Sequence, residues 1–159
     1  MKTTKFLAAA LVAALLGACA TPQAPSPITD TAQRTPQLST LTKLINDAGL
    51  AETLRGAGPY TVFAPSDDAF KAVPAATMQA LASDKELLKS VLTFHVVPGK
   101  VSGADVKSGN AKTVQGANVA LSKSGSFITV EDAVVTQADV MASNGVVHVI
   151  DRVLMPPKK

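Results

Sequence analysis

The sequence TVFAPSDDAF at residues 61–70 is the most informative stretch of this 159-residue chain. It runs a short apolar segment directly into residues that favour a helix start. Ser66 and the two aspartates after it can accept hydrogen bonds from the free backbone amides of a first helical turn. A second stretch, NGVVHVIDRVL at residues 144–154, places a turn dipeptide before a run rich in β-branched residues. We therefore predict a strand followed by a helix in the first half of the fold, and a strand near its end.

Working outward from these stretches, helical and strand patterns separate along the chain. Apolar residues recur at three- and four-residue steps from Leu38 to Ala48, and Asp84 can cap a helix over residues 85–93. Shorter helices are predicted at residues 50–54, 67–72 and 77–82. Strands are predicted at residues 60–64, 94–97, 111–114, 118–121, 127–130, 133–136 and 146–154. Because helices come first and strands follow, the pattern indicates an α+β fold.

Charge and composition exclude several classes of function. The formal charge is +3, and two of the lysines lie at positions 2 and 5, which leaves 13 basic against 12 acidic side chains in the rest. A near-neutral chain is not expected to bind nucleic acid. With five Phe, one Tyr and no Trp, stacking platforms for bases or sugars are hard to build. The only cysteine is Cys19, so the domain is expected to fold without a disulfide.

The N-terminal segment resembles a bacterial export signal. Two lysines, a short apolar core and a small-residue exit at residues 17–20 follow the pattern of a signal peptide, and the apolar stretch is too short for a permanent membrane span. We interpret residues 1–18 as a lipoprotein-type signal peptide, residues 19–36 as a proline-rich tether and residues 37–157 as one domain.

Cys19 has two interpretations. Leu16-Gly17-Ala18-Cys19 resembles a lipobox, at which a lipoprotein signal peptidase leaves an acylated N-terminal cysteine. Alternatively, Ala18-Cys19-Ala20 fits ordinary signal peptidase, with cleavage after Ala20 and secretion of the soluble domain. We favour lipidation of Cys19. Since Ala20 is not the aspartate that in some bacteria signals inner-membrane retention, we expect an anchor in the outer membrane, facing the periplasm or the exterior.

Three blocks of the sequence together resemble the fasciclin-like domain. They are the Thr-Val-Phe-Ala-Pro block at residues 61–70, the histidine-centred block LTFHVVPG at residues 92–99 and the closing block at residues 142–156. Their order and spacing agree with the family over about 120 residues. The resemblance implies a β-wedge of mostly antiparallel strands with several helices packed around it.

The resemblance also implies a function in adhesion and indicates which residues contact a partner. Family members are typically extracellular or surface-bound and associated with adhesion. A Tyr-His motif linked with adhesion in animal members corresponds here to Phe94-His95. An acidic Glu-Pro-Asp-Ile-Met motif corresponds to residues 137–141, where Asp139 and Met141 are kept, Val140 replaces isoleucine, and the glutamate and proline are lost. The predicted partner-binding residues are Phe94, His95, Asp139, Val140, Met141 and Asn144.

The residues themselves offer little catalytic chemistry. His95 and His148 lie among valines without a ligand cluster, so structural histidines are favoured over a metal pair or a pH switch. Asp67 and Asp68 are interpreted as helix caps rather than an acid–base pair. For Asp139 a local turn contact and a partner contact both stay open. Nucleophile-elbow and phosphate-loop motifs are absent from the sequence. We expect no enzyme activity, no cofactor and no metal.

The sequence therefore predicts a lipid-anchored binding or adhesion module of the bacterial cell envelope. Its partner would be a protein or polysaccharide of the envelope or matrix. The alternatives are a secreted matrix protein and, with less support, an envelope enzyme or small-molecule carrier.

Overall fold

The computed structural model describes residues 26–157. In this range six α-helices and a 3₁₀ turn accompany a seven-stranded sheet. The helices are α1 Ile28–Arg34, α2 Ser39–Asp47, α3 Ala51–Arg55, α4 Asp67–Lys71, α5 Ala75–Ser83 and α6 Lys85–Phe94, with the 3₁₀ turn at Pro36–Leu38. The strands are β1 Tyr60–Pro65, β2 Val96–Pro98, β3 Gly109–Lys112, β4 Asn118–Ser124, β5 Phe127–Val130, β6 Ala133–Ala142 and β7 Gly145–Ile150. The α+β prediction is confirmed.

The sheet is nearly closed into a barrel. Its strand order is β2-β1-β7-β6-β5-β4-β3, and every neighbouring pair is antiparallel except β1 and β7, which run parallel. The two outer strands approach each other, and the Val114 amide just after β3 donates to the Val96 carbonyl of β2 at 2.8 Å. The wedge of mostly antiparallel strands is thus observed.

The two stretches that open the sequence analysis form the centre of the sheet. β1 is buried from its second residue onward, and β7 is buried at every position. Neighbouring side chains of a strand point to opposite faces, so Phe63 packs in one hydrophobic cluster while Val62 and Ala64 pack in another. The cluster of Val62 and Ala64 includes the apolar faces of the helices, and that of Phe63 includes β4 and β5. Both faces of the central strands are covered, which explains their nearly continuous apolar sequence.

The prediction that residues 19–36 form a tether is wrong in part. Residues 28–34 form α1, whose Ile28, Thr29 and Ala32 are buried against the domain. A hydrogen bond from the Ser143 amide to the Ser26 carbonyl, at 2.8 Å, fastens the start of this segment to the turn before β7. The folded unit therefore begins before residue 37, because Ile28 supplies apolar surface that the proline-rich composition around it conceals. The predicted signal peptide and the predicted tether up to residue 25, including Cys19, lie outside the described residues.

Several predicted element boundaries also differ from the structure. Phe94 closes α6 and does not open a strand, so β2 begins only at Val96. β6 continues through residues 137–141 to Ala142, while β7 stops at Ile150, four residues before the predicted end. β3 lies two residues earlier than predicted. Within residues 26–157, no helix has the length and apolar character to cross a membrane.

The turn between β6 and β7 differs from the prediction in the residues that form it and in the reason for its glycine. Ala142 pairs with Gly145, so Ser143 and Asn144 form the turn and Gly145 already belongs to β7. Neither Asn144 nor Gly145 is among the residues with positive φ. Glycine is needed at position 145 because a Cβ there would overlap the carbonyl oxygen of Tyr60 on the parallel neighbour β1. The sequence correctly indicated a turn at this place. Glycine is required at position 145 because the backbones of β1 and β7 pack closely there.

Candidate functional site

Phe94 and His95 lie inside the domain. Each is 2% exposed, at the junction where α6 passes into β2. Phe94 packs with Val97 and Leu154 in the cluster that fills the barrel. Neither side chain is accessible to a partner, because both are buried. We therefore exclude Phe94 and His95 from the binding surface.

His95 connects two distant segments through both ring nitrogens. Nδ1 lies 2.7 Å from the Val91 carbonyl oxygen and Nε2 lies 2.9 Å from the Leu154 amide nitrogen. Because the amide can only donate, Nε2 accepts and Nδ1 carries the proton that is donated to Val91. Burial lowers the pKa of His95 from 6.5 to about 4, although the hydrogen bond to Val91 raises it in part. His95 is therefore a neutral, hydrogen-bonded structural histidine.

His148 organises the irregular middle of β6. Its Nε2 lies 2.8 Å from the Val101 carbonyl oxygen, and its Nδ1 accepts a hydrogen bond from the Asp139 amide at 3.2 Å. The ring stacks on Phe63, with 5.7 Å between ring centroids. These contacts fasten the backbone of β6 to β7 and to the loop that follows β2.

Asp139 is the one carboxylate among the predicted contact residues, and it is exposed and hydrogen-bonded. It has φ of +57°, in a bulge where the pairing of β6 with β7 shifts between Gln137 and Val140. Its Oδ1 accepts a hydrogen bond from the Gly103 amide at 2.6 Å. A left-handed conformation is tolerated by aspartate, and here three elements hold it in place. The carboxylate therefore binds a loop 36 residues away in the sequence and not its own turn, which differs from the local turn contact that the sequence left open.

The bulge is exposed to solvent and forms a defined surface. We define the bulge surface as residues 137–141 of β6 together with residues 101–103. Asp139 is exposed, Met141 is 53% exposed, and Val140 is half-buried against the core. Asp139, Val140 and Met141 are therefore brought together by β6.

Asn144 lies at the end of the same hairpin but is occupied by internal bonds. Its Oδ1 accepts from the Ile28 amide at 2.9 Å, and its Nδ2 donates to the carbonyls of Leu54 and Gly56 at 2.6 and 3.1 Å. The side chain joins α1, the end of α3 and the β6–β7 turn. Every polar atom of this amide is used inside the domain, so Asn144 is not carried into the binding surface.

The aspartates at the start of α4 act as structural groups. Ser66 caps α4 by accepting from the Ala69 amide at 3.2 Å, whereas Asp67 reaches across to α2. Its carboxylate accepts from the Thr40 amide at 2.8 Å and from the Ser39 hydroxyl at 2.7 Å. Partial burial raises the pKa of Asp67, but these hydrogen bonds outweigh that effect and hold it below the ordinary 3.8.

Three open clefts of similar size were not predicted from the sequence. Two of them, of about 450 and 430 Å³, lie on either side of the segment 152–155 and share Arg152, Val153 and Met155. The third, of about 420 Å³, lies between α2 and the helices α5 and α6. Within residues 26–157, no group of three or more histidine, aspartate or glutamate side chains is arranged to hold a metal ion.

These observations define a class of protein: an α+β domain with a filled interior, whose exposed features are an ordered strand bulge and shallow clefts. The chain belongs to the fasciclin domain family, whose model matches residues 36–156.

Several relatives are similar over most of this chain. Protein sll1483 of Synechocystis is 46% identical over 121 residues, covering 75% of this chain and 67% of its own length. Cell surface glycolipoprotein MPB83 of Mycobacterium bovis is 41% identical, with 84% of this chain and 62% of the relative covered. Immunogenic protein MPB70 of the same species is 40% identical, with 82% and 69% covered. The chain thus spans about two thirds of the length of these relatives.

A solved structure supports the fold independently of sequence. The FAS1 domain pair from the insect cell adhesion molecule fasciclin I matches with a TM-score of 0.63 at 24% identity. The match covers 77% of this chain and 46% of that chain. At this level of identity the likeness establishes the fold alone.

Proposed function

We propose that this protein is a non-enzymatic binding module of the bacterial cell envelope, which presents the bulge surface to a protein or polysaccharide partner. The observation that carries this proposal is the fixed exposed carboxylate of Asp139 beside the exposed thioether of Met141. Surface binding favours groups that are already ordered, because their conformational entropy is lost on folding and not on association. The names of the mycobacterial relatives, which include cell surface glycolipoproteins, support an exported, envelope-associated location.

The same proposal includes a lipid anchor on Cys19, with the outer membrane or periplasm as its location. Several acyl chains, at about 0.8 kcal/mol per buried methylene, would make the attachment practically permanent. A Cys19→Ser variant distinguishes anchoring from secretion after Ala20. We expect the wild type to incorporate labelled fatty acid and to sediment with membranes, and the variant to do neither. A variant that stays in the membrane fraction unchanged would contradict lipid anchoring.

The binding surface is tested by retention of envelope components on the immobilised protein. Asp139→Asn removes the charge while keeping an oxygen that can accept from the Gly103 amide, and asparagine also tolerates positive φ. Met141→Ala removes the exposed apolar group. We expect either change to weaken retention of a specific protein or polysaccharide at least tenfold.

Matched controls come from the same residue types elsewhere on the surface. Asp132 is exposed, and Met155 is 48% exposed, close to the value for Met141. Asp132→Asn and Met155→Ala should leave retention unchanged. If all four variants bind as the wild type does, the bulge surface is not the binding site. Turnover of an envelope metabolite by the purified protein would instead favour the alternative of an enzyme.

A further inference from the structure

We propose that the cleft between α4–α5 and the segment after β7 binds the carboxylate head and first methylenes of a single-chain amphiphile, such as a fatty acid. This Arg152 cleft, of about 430 Å³, is lined by Ala69, Ala72, Val73, Pro74, Thr77, Arg152, Val153 and Met155. Its volume falls in the range of small-molecule sites, about 300–1,000 Å³. The proposal is independent of the bulge surface.

The lining residues divide sharply in chemistry. Six of the eight are apolar, one is a threonine, and one is an arginine, with no carboxylate among them. An apolar wall favours an alkyl chain, while a lone cation favours an anionic head. The planar guanidinium matches a carboxylate with two parallel hydrogen bonds, which a lysine cannot provide. The flexible thioether of Met155 can adapt its shape to a chain.

Arg152 is available to such a ligand. It is exposed, and within residues 26–157 it forms no ion pair with a carboxylate. Glu131 and Asp132 share the neighbouring cleft with Arg152 but form no ion pair with it, and the other nearby acids are engaged elsewhere. Asp151 accepts from the Val134 amide at 2.7 Å, and Asp68 pairs with Lys71 at 2.7 Å. Asp67 is held by the start of α2.

The neighbouring clefts fit this ligand less well. The cleft on the other side of the segment 152–155 contains Glu131 and Asp132, whose charges oppose an anionic head. The third cleft, which lies between α2 and the helices α5 and α6 and is called the α2–α5 cleft below, contains Lys43 and Lys85 but also Asp47. Among these three clefts, only the Arg152 cleft has a cation and no acid in its own lining, although the same arginine also borders the cleft that contains Glu131 and Asp132.

The location separates this site from the bulge surface. Met141 pairs with Val146 near the start of β7, whereas Arg152 follows the end of the strand at Ile150. At about 3.3 Å per residue, the four steps from Val146 to Ile150 place Met141 roughly 13 Å from the end of β7, while Gln137 of the bulge surface lies nearer, opposite Val149. A ligand at one site does not need to contact the other.

The experiment is a titration of the purified, isotopically labelled protein with sodium decanoate below its micellar concentration. We expect saturable amide shifts at Ala72, Thr77, Val153 and Met155. Decanol, with the same chain and no carboxylate, should bind at least tenfold more weakly, and acetate should give no saturable shift. Arg152→Gln, a surface change, should weaken decanoate binding at least tenfold, and Ala72→Leu should weaken it by filling the cleft without altering charge.

Lys43→Gln provides the matched control, because it removes one positive charge from another cleft of similar volume. It should leave decanoate affinity unchanged. Equal binding by the wild type and Arg152→Gln, equal binding of decanol and decanoate, or shifts confined to the α2–α5 cleft would each overturn the proposal. Any of these results leaves the bulge surface untouched, since its test uses different variants and a different readout.

Discussion

His95 should make the stability of this domain depend on pH in the mildly acidic range. The imidazole is neutral in the folded protein, with Nε2 accepting from the Leu154 amide. A proton added to Nε2 would face that amide hydrogen and would also charge a group that is 2% exposed. Unfolding exposes His95 to water, where the protonated ring is hydrated and takes up its proton at the ordinary pKa of 6.5.

The sign and size follow from the pKa of His95 in the two states. The unfolded chain takes up its proton near pH 6.5, while the folded protein resists until about pH 4. Stability is therefore fully retained above pH 6.5, falls as the pH drops towards 4, and loses no more from this group below that value. At 1.36 kcal/mol per pKa unit, the free energy of unfolding should fall by about 3 kcal/mol over this window.

The measurement is urea denaturation followed by circular dichroism at fixed ionic strength between pH 4 and pH 8, with His95→Gln beside the wild type. The glutamine amide can still accept from Leu154 but cannot titrate. At pH 8 the variant should be less stable by about 1–3 kcal/mol, because the contact with Val91 is weakened. This gap should close as the pH falls to 4.

A control for general destabilisation is Val130→Ala, which truncates a buried residue of the same hydrophobic cluster and keeps the histidine. Its stability curve should run parallel to that of the wild type at every pH. If the curve of His95→Gln is also parallel to the wild type, His95 titrates normally in the folded state and the reasoning fails.

Three further substitutions test the internal contacts. Gly145→Ala should lower the free energy of unfolding by about 3 kcal/mol, since the new Cβ overlaps the Tyr60 carbonyl and must push β1 and β7 apart; an unchanged urea midpoint would contradict this packing. Asn144→Ala should cost roughly 2–3 kcal/mol by removing three internal hydrogen bonds, and hydrogen exchange should show α1 opening first; uniform exchange across the domain would argue against a local anchor. Asp67→Ala should cost about 1 kcal/mol at pH 7, measured by thermal unfolding, because α2 loses its capping carboxylate, and a loss as large at pH 2 would show that the ionised form is not the cause.

Local patterns in the sequence predicted those elements whose residues carry their own signal. The buried strand β1 and the capped helix α6 were placed within one or two residues, because apolar periodicity and the Asp84 cap act over a few positions. Asp84 does accept from the amides of Glu86 and Leu87. Core elements can be predicted from the sequence where burial alone determines the residue type.

Elements that depend on distant partners were harder to predict. α1 lies in a segment rich in Thr, Pro and Gln, and Ile28 is buried in a cluster with distant helices and strands while Asn144 binds its amide from the other end of the chain. β6 was predicted only up to Thr136, and residues 137–141 after it were not assigned to a strand. In the structure they form a bulge that stays within the ladder.

The candidate sites show the same division. The family resemblance located residues 139–141, which lie together on one exposed strand, but it also pointed to Phe94, His95 and Asn144, whose side chains are committed internally. Exposure is a property of the folded surface and has no signature in a single sequence. The Arg152 cleft required Val73 and Val153 to meet across eighty positions, which no local pattern encodes.

The position of β7 has a consequence for how the chain is made. β7, the last strand in chain order within residues 26–157, lies between β1 and β6 and supplies ladder partners to both. Until Ile150 has emerged, β1 has only the three-residue β2 beside it, and the nascent chain holds no closed sheet. A polypeptide threaded amino end first through a pore would thus stay pliable until β7 has passed, and only then could its sheet be completed.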